Sequence, residues 1–325
     1  MKFKQVVLPV VLTTLLTTSA GWAQDVQAPN AGPPPLDFNQ LPPGQLKRDI
    51  ERLPPQARDT AIKWLNGFTF PRADFEKLRV DDTGAVFYAD DLENTGNIIN
   101  FADDYEFTIN SEISLTEAFS LHSKPNAGSV IFIDFDGHVI SNTAWNNSSS
   151  APAQYLARPF NSEGSETSFS TTELNQIAES WHRIAEDFAI FDVDVTTEEP
   201  ASFGPNSVHV LITPNTDANG ALMPASNAGG VAYVNVFGRS NFQYYSPALV
   251  YSNNFSNIVR LIVEAASHEA GHNLGLSHDG TSTLSYYGGH GSGATSWGPI
   301  MGTGYNRNVS PVSYTHLTLP TTPYV

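Results

Sequence analysis

His268-Glu269-Ala270-Gly271-His272-Asn273-Leu274-Gly275-Leu276-Ser277-His278-Asp279 is the stretch that decides how this 325-residue chain is read. A helix over 257–274 places His268 and His272 one turn apart on one face, so both imidazoles reach a single metal. Glu269 points beside that face, where it can act on water without being a ligand. Gly275 can take the left-handed conformation that ends a helix, and the chain then turns back to offer His278. Three histidines suit Zn2+ and leave its fourth position open, the arrangement of a catalytic rather than a structural site. There the metal lowers the pKa of water from ~15.7 to roughly 7, and Glu269 is placed to take the proton as that water attacks a carbonyl.

The same residues resemble the metzincin clan of zinc endopeptidases, whose extended motif is matched at His268, Glu269, His272, Gly275 and His278. Asp279 after the third histidine is similar to the reprolysin (adamalysin) branch. The resemblance implies an α/β (α+β) catalytic domain with a twisted mixed sheet, two long helices and Zn2+ between subdomains. It also implies a protein or peptide substrate and a methionine turn under the metal. Gly298-Pro299-Ile300-Met301-Gly302 suits that turn, with Met301 packing beneath the imidazoles without ligating. Tyr305 comes four residues after Met301 and departs from the two-residue spacing of some members. In related enzymes an edge strand runs antiparallel to the substrate. The matching place is Gly229 to Val236, with Gly230, Val231, Ala232 and Tyr233 as the cleft residues. Gly229-Gly230 reads equally as a plain turn before a core strand. Three other readings stay open: an amphipathic helix with surface histidines, a zinc-binding adhesin without turnover, and hydrolysis of a non-protein amide.

The chain starts like an exported precursor. Lys2 and Lys4 precede an apolar run from Val6 to Leu16, and Gly21-Trp22-Ala23 follows as a small-x-small cleavage site, so residues 1–23 read as a signal peptide. The absence of cysteine excludes disulfides, a lipoprotein anchor and a cysteine-to-zinc latch, and leaves a secreted product with no membrane anchor. A formal charge of −17 argues against nucleic acid as a partner. From Lys124 onward there are 6 Lys+Arg against 16 Asp+Glu, and such a surface offers oxygen ligands to Ca2+ in an extracellular enzyme.

Residues 24–123 hold a Pro-rich stretch, Pro29 to Pro43, and then a helical pattern through Ile50, Leu53, Ala57, Ala61 and Leu65. Strand-like pieces follow at Ala85-Val86-Phe87-Tyr88 and Ile98-Ile99-Asn100-Phe101. By resemblance this segment looks like a propeptide, and an independent accessory domain is the competing view. Without a thiol, latency would need a carboxylate on zinc, and Asp81, Asp82, Asp90 and Asp91 are the candidates. Ser123 to Gly128 reads as a polar linker into the catalytic part, 124–310.

That part alternates elements. Val130-Ile131-Phe132-Ile133 is a buried strand, and Ser170 with Glu173 forms a capping box before a helix through Phe188. Asp192 to Thr196, Val208 to Ile212, Val231 to Val236 and Ala248 to Tyr251 are strands. Asn257 is the expected cap of the zinc helix.

Asp134-Phe135-Asp136-Gly137 after an apolar strand resembles the nucleophile motif of haloacid-dehalogenase-type phosphatases. No lysine follows Lys124 to complete that chemistry, so these aspartates read as strand caps, local pairs or ligands of a structural cation. His182 and His209 read as packed or exposed histidines, and His290 as part of a Gly/Ser-rich connector. From about Pro311 the chain resembles a translated sequencing adapter. The expectation is an incomplete catalytic domain to residue 310 and a non-native tail over 311–325.

Overall fold

The structure is a computed structural model that describes residues 35–92, 113–165, 167–292, 295–305 and 307. The signal peptide, the Ile98 to Phe101 strand and the adapter-like tail lie outside them. The described residues from Leu36 onward belong to one unit. Its helices are α1 (Gln45–Arg52), α2 (Pro55–Leu65), α3 (Leu115–Ala118), α4 (Thr171–Asp187) and α5 (Val259–Asn273). Its strands are β1 (Leu78–Val80), β2 (Val86–Asp91), β3 (Ser129–Asp134), β4 (His138–Ser141), β5 (Gln154–Ala157), β6 (Val193–Thr196), β7 (Ser207–Thr213), β8 (Ala228–Tyr233) and β9 (Ala248–Tyr251).

Seven strands form one mixed sheet in the order β1-β2-β8-β9-β7-β3-β6, and β4 with β5 makes a separate antiparallel pair. Strands β6, β3, β7 and β9 run parallel, whereas β8 is antiparallel to β9. Side chains alternate across the sheet. Val208, Val210 and Ile212 of β7, with Ala248 and Val250 of β9, face α4 and α5. Leu211, Leu249, Tyr251, Val231 and Tyr233 face the other core, shared with α1, α2 and the β4–β5 pair. This is the mixed α/β sheet expected from the resemblance.

Ser170 caps α4 as the sequence predicts: its hydroxyl accepts from the Glu173 amide at 3.1 Å, and the Glu173 carboxylate accepts from the Ser170 amide at 2.9 Å. Asn257 does not cap α5. It sits in the left-handed region at φ 58, and the helix starts after Ile258 without a side-chain cap. The whole helix is buried, so packing rather than capping fixes where it begins. The helical pattern of the first segment is two helices, because Pro54 and Pro55 cannot continue α1. Strand β8 starts and stops three residues before the predicted Val231 to Val236: Asn235, Val236 and Phe237 donate their amides instead to the carbonyls of His272 and Asn273 at the end of α5.

The α4–α5 contact buries two acids. Burial pushes the Glu264 carboxyl up to about 8 despite Arg260 at 3.5 Å and Arg183, and Asp187 adds to the rise. Burial likewise raises Asp187, which accepts from the Ser267 hydroxyl at 2.6 Å, to about 7. A carboxyl with a raised folded pKa stabilises fully below its unfolded value, here 4.5 for Glu264. That contribution is lost as pH rises through the folded value. Urea denaturation is therefore expected to show stability falling between about pH 5 and 8. Glu264→Gln, which holds no proton to lose, is expected to flatten that slope; an unchanged slope would exclude Glu264 as its source.

Candidate active site

Helix α5 ends in a Schellman motif. Gly275 stands at φ 95, its amide donates to the His272 carbonyl at 2.9 Å, and the Leu276 amide donates to the Gly271 carbonyl at 2.9 Å. This reversal brings His278 back against the helix, with ring centroids 5.2 Å from His268 and 5.0 Å from His272.

Each imidazole is fixed through Nδ1. His268 Nδ1 lies 2.7 Å from the Ile300 carbonyl, His272 Nδ1 lies 2.8 Å from the Leu276 carbonyl, and His278 Nδ1 lies 3.2 Å from Asp74 Oδ1. Partners of this kind set the tautomer that leaves Nε2 free to ligate. The three Nε2 atoms converge, and all lie within 4.8 Å of one another and of Asp90. Buried His268 Nε2 and His278 Nε2 have the Asp90 carboxylate within 3.3 Å but no well-formed hydrogen bond, and a metal at the point of convergence would satisfy them. Three imidazoles fit Zn2+.

Glu269 is also fully buried, with Oε2 unpartnered, and burial together with the nearby Asp90 raises its carboxyl well above the ordinary value. It packs on Gly230 of β8, where a Cβ would stand 2.2 Å from Glu269 Oε1. The glycine is thus explained by the carboxylate behind it. Gly271 plays the same part for the methionine turn: a Cβ there would lie 2.4 Å from the Met301 sulfur. Met301 is buried with its sulfur against Gly271 of α5, and its carbonyl accepts from the Asp279 amide at 2.6 Å. Met301→Ala is expected to cost about 2–5 kcal/mol in urea denaturation, as cavities of this size do. A loss under 0.5 kcal/mol would show that the turn is not packed as described.

The N-terminal segment enters the site. Strand β2 pairs antiparallel with β8, Phe87 opposite Tyr233, Ala89 opposite Val231 and Asp90 opposite Gly230. Strand β8, expected at an edge, is therefore paired on both sides, and Gly230, Val231, Ala232 and Tyr233 are all buried. Asp90 Oδ2 lies 3.3 Å from His268 Nε2 and 3.2 Å from His272 Nε2, and Oδ1 lies 3.0 Å from His278 Nε2. Burial alone would raise the Asp90 carboxyl, but His278 and the hydrogen bonds of the three histidines outweigh it and hold it well below the usual range. His278 moves the opposite way: Asp90 and Asp74 overcome burial and raise it to about 9. Burial takes His272 down to about 4.

Of the four aspartates considered for this position, only Asp90 reaches the histidines. Asp81 accepts from the Thr83 and Ala85 amides in its own turn and from the Tyr233 hydroxyl, Asp91 pairs with Lys77 at 2.7 Å, and Asp82 is exposed. Three contributors escaped the sequence reading. Tyr286 donates its hydroxyl to Asp90 Oδ1 at 2.7 Å. Tyr88 stacks on His272 at 4.1 Å and donates to Asp74, which in turn holds His278. Alternation along β2 could have flagged Tyr88, since it shares a sheet face with Asp90. Nothing local marks Asp74 or Tyr286.

His290 is engaged away from this centre, by the Tyr287 hydroxyl at 2.6 Å and the Trp297 indole at 2.9 Å. Tyr305 packs its ring on Phe255, and its carbonyl accepts from Arg260. Neither group of potential metal-binding residues among the described residues is an all-oxygen cage, so the Ca2+ expectation finds no support in them.

No curated protein and no solved structure matches the chain. Residues 185–279, from the end of α4 through α5 to Asp279, match the family described as metallo-peptidase family M12B, reprolysin-like. Over that stretch, which carries the three-histidine helix, the chain is similar to reprolysin-like metallopeptidases.

Proposed function

We propose that the protein is a secreted zinc endopeptidase held latent by its own N-terminal segment. The observation that carries this reading is the convergence of three buried Nε2 atoms with Glu269 beside them. His268, His272 and His278 would hold the metal, each fixed through its Nδ1 partner. When bound, zinc supplies an acidified water and a Lewis acid for the scissile carbonyl. Glu269, its carboxylate already desolvated, takes the proton from the attacking water and delivers it to the leaving amine. Gly230 leaves Glu269 room for this, and β8 offers backbone groups for an extended substrate once β2 leaves.

Residues 24–123 then act as a propeptide. Strand β2 takes the place on β8 that a substrate strand would use, and Asp90 takes the position that the reacting water needs. Release of the segment also removes Asp74 from His278, so the mature enzyme orients that ring through water.

Asp90 also favours a second reading. A carboxylate at the fourth position makes a closed site, and a closed site suits a zinc-binding adhesin or interaction module of the same fold. Sequencing the N-terminus of the form recovered from the medium after export tests both. The latent-peptidase reading predicts a chain that starts near residue 124, binds zinc and cleaves casein. An intact chain that keeps zinc and cleaves nothing would favour the module.

A further inference from the structure

The geometry points to a second metal site, where the end of β3 meets β7 and the start of β4, formed by Asp134, His138 and His209 and taking a divalent transition-metal ion such as Zn2+. Asp134 is the last residue of β3, and His209 lies on the adjacent parallel strand β7. His138 opens β4 after a turn at Gly137, which stands at φ 90 and where a Cβ would lie 2.7 Å from the Ala157 carbonyl. That turn returns His138 over Asp134. Asp134 Oδ2 is 2.8 Å from His209 Nε2 and 3.7 Å from His138 Nδ1, and the three donor atoms lie within 4.8 Å of one another. Ligands on a tetrahedral ion with bonds of ~2.0–2.1 Å stand about 3.3 Å apart, so small side-chain shifts close the set.

A further observation singles this cluster out from an ordinary buried His–Asp hydrogen bond. Asp134 is 2% exposed and its Oδ1 has no partner. A buried carboxylate oxygen left in that state is costly, and a metal or its water removes the cost. Phe203 stacks on His209 at 5.1 Å and fixes its ring, and the partly exposed His138 leaves an approach from solvent.

Two nitrogens and one carboxylate suit a first-row transition metal and not Ca2+. Such an ion would tie β3, β4 and β7 together in a chain that has no disulfide to do so. The inference does not depend on peptidase activity.

Zinc bound per chain, measured by mass spectrometry after dialysis of the full-length protein, is the test, with melting temperature as a second readout. Two equivalents are expected, falling to one in His138→Ala, together with a smaller zinc-dependent rise in melting temperature. His138→Gln serves the same purpose if the alanine variant does not fold. One equivalent in both proteins overturns the site, and so does two equivalents in both, since the second ion would then sit elsewhere. One equivalent that disappears in His138→Ala upholds this site and counts against zinc at His268, His272 and His278.

Discussion

Asp90→Ala is expected to raise peptide cleavage by the full-length chain by about two orders of magnitude over the unsubstituted protein. Removing one partner of a buried, hydrogen-bonded charge pair costs about 2–5 kcal/mol, which corresponds to roughly 30-fold to several-thousand-fold in an equilibrium constant. Asp90 makes its contacts to all three histidines only while β2 is docked on β8. Their loss therefore shifts the population toward the undocked state, in which a substrate strand can pair with β8. Asp91→Ala removes only the partly exposed pair with Lys77 and is the control; it should leave the chain nearly silent. If the two variants behaved alike, Asp90 would not be the latch.

Glu269→Gln in the Asp90→Ala background is the second large effect. It should lower cleavage by about 10²–10⁴-fold, the usual contribution of a positioned general base. The amide keeps the size of the carboxylate and its packing on Gly230, and Glu269 lies outside the group of converging donor atoms, so bound zinc should be unchanged. That separation matters. Loss of activity with loss of zinc would mean that the residue supports the metal site, whereas loss of activity alone assigns it the proton transfer.

The convergence of the three histidines was legible in the sequence because their spacing is local. His268 and His272 share a helix, Gly275 announces its end, and His278 follows within the radius of one turn. The strands of the sheet were legible for a similar reason, since Val208, Val210 and Ile212 already alternate with Leu211 as the two cores require. What could not be read is what depends on pairing between distant segments. Asp90 was one of four equivalent aspartates until the register of β2 on β8 placed it opposite Gly230. Asp74 and Tyr286 reach the histidines only through the fold, and Asn257, a good cap by residue type, is overruled by the buried packing of α5. His209 read as a packed or exposed histidine because its nearness to Asp134 depends on the pairing of β3 with β7, which sequence spacing does not show.

The account is tested most directly by mass-spectrometric identification of the products that zinc-loaded Asp90→Ala makes from a peptide library, run beside the same protein carrying Glu269→Gln. The prediction is hydrolysed peptide bonds from the first, abolished by a chelator and restored by zinc, and a loss of about 10²–10⁴-fold in the second. Zinc retained by the Asp90→Ala protein with no peptide bond cleaved would contradict it and leave a metal-binding module of the same fold.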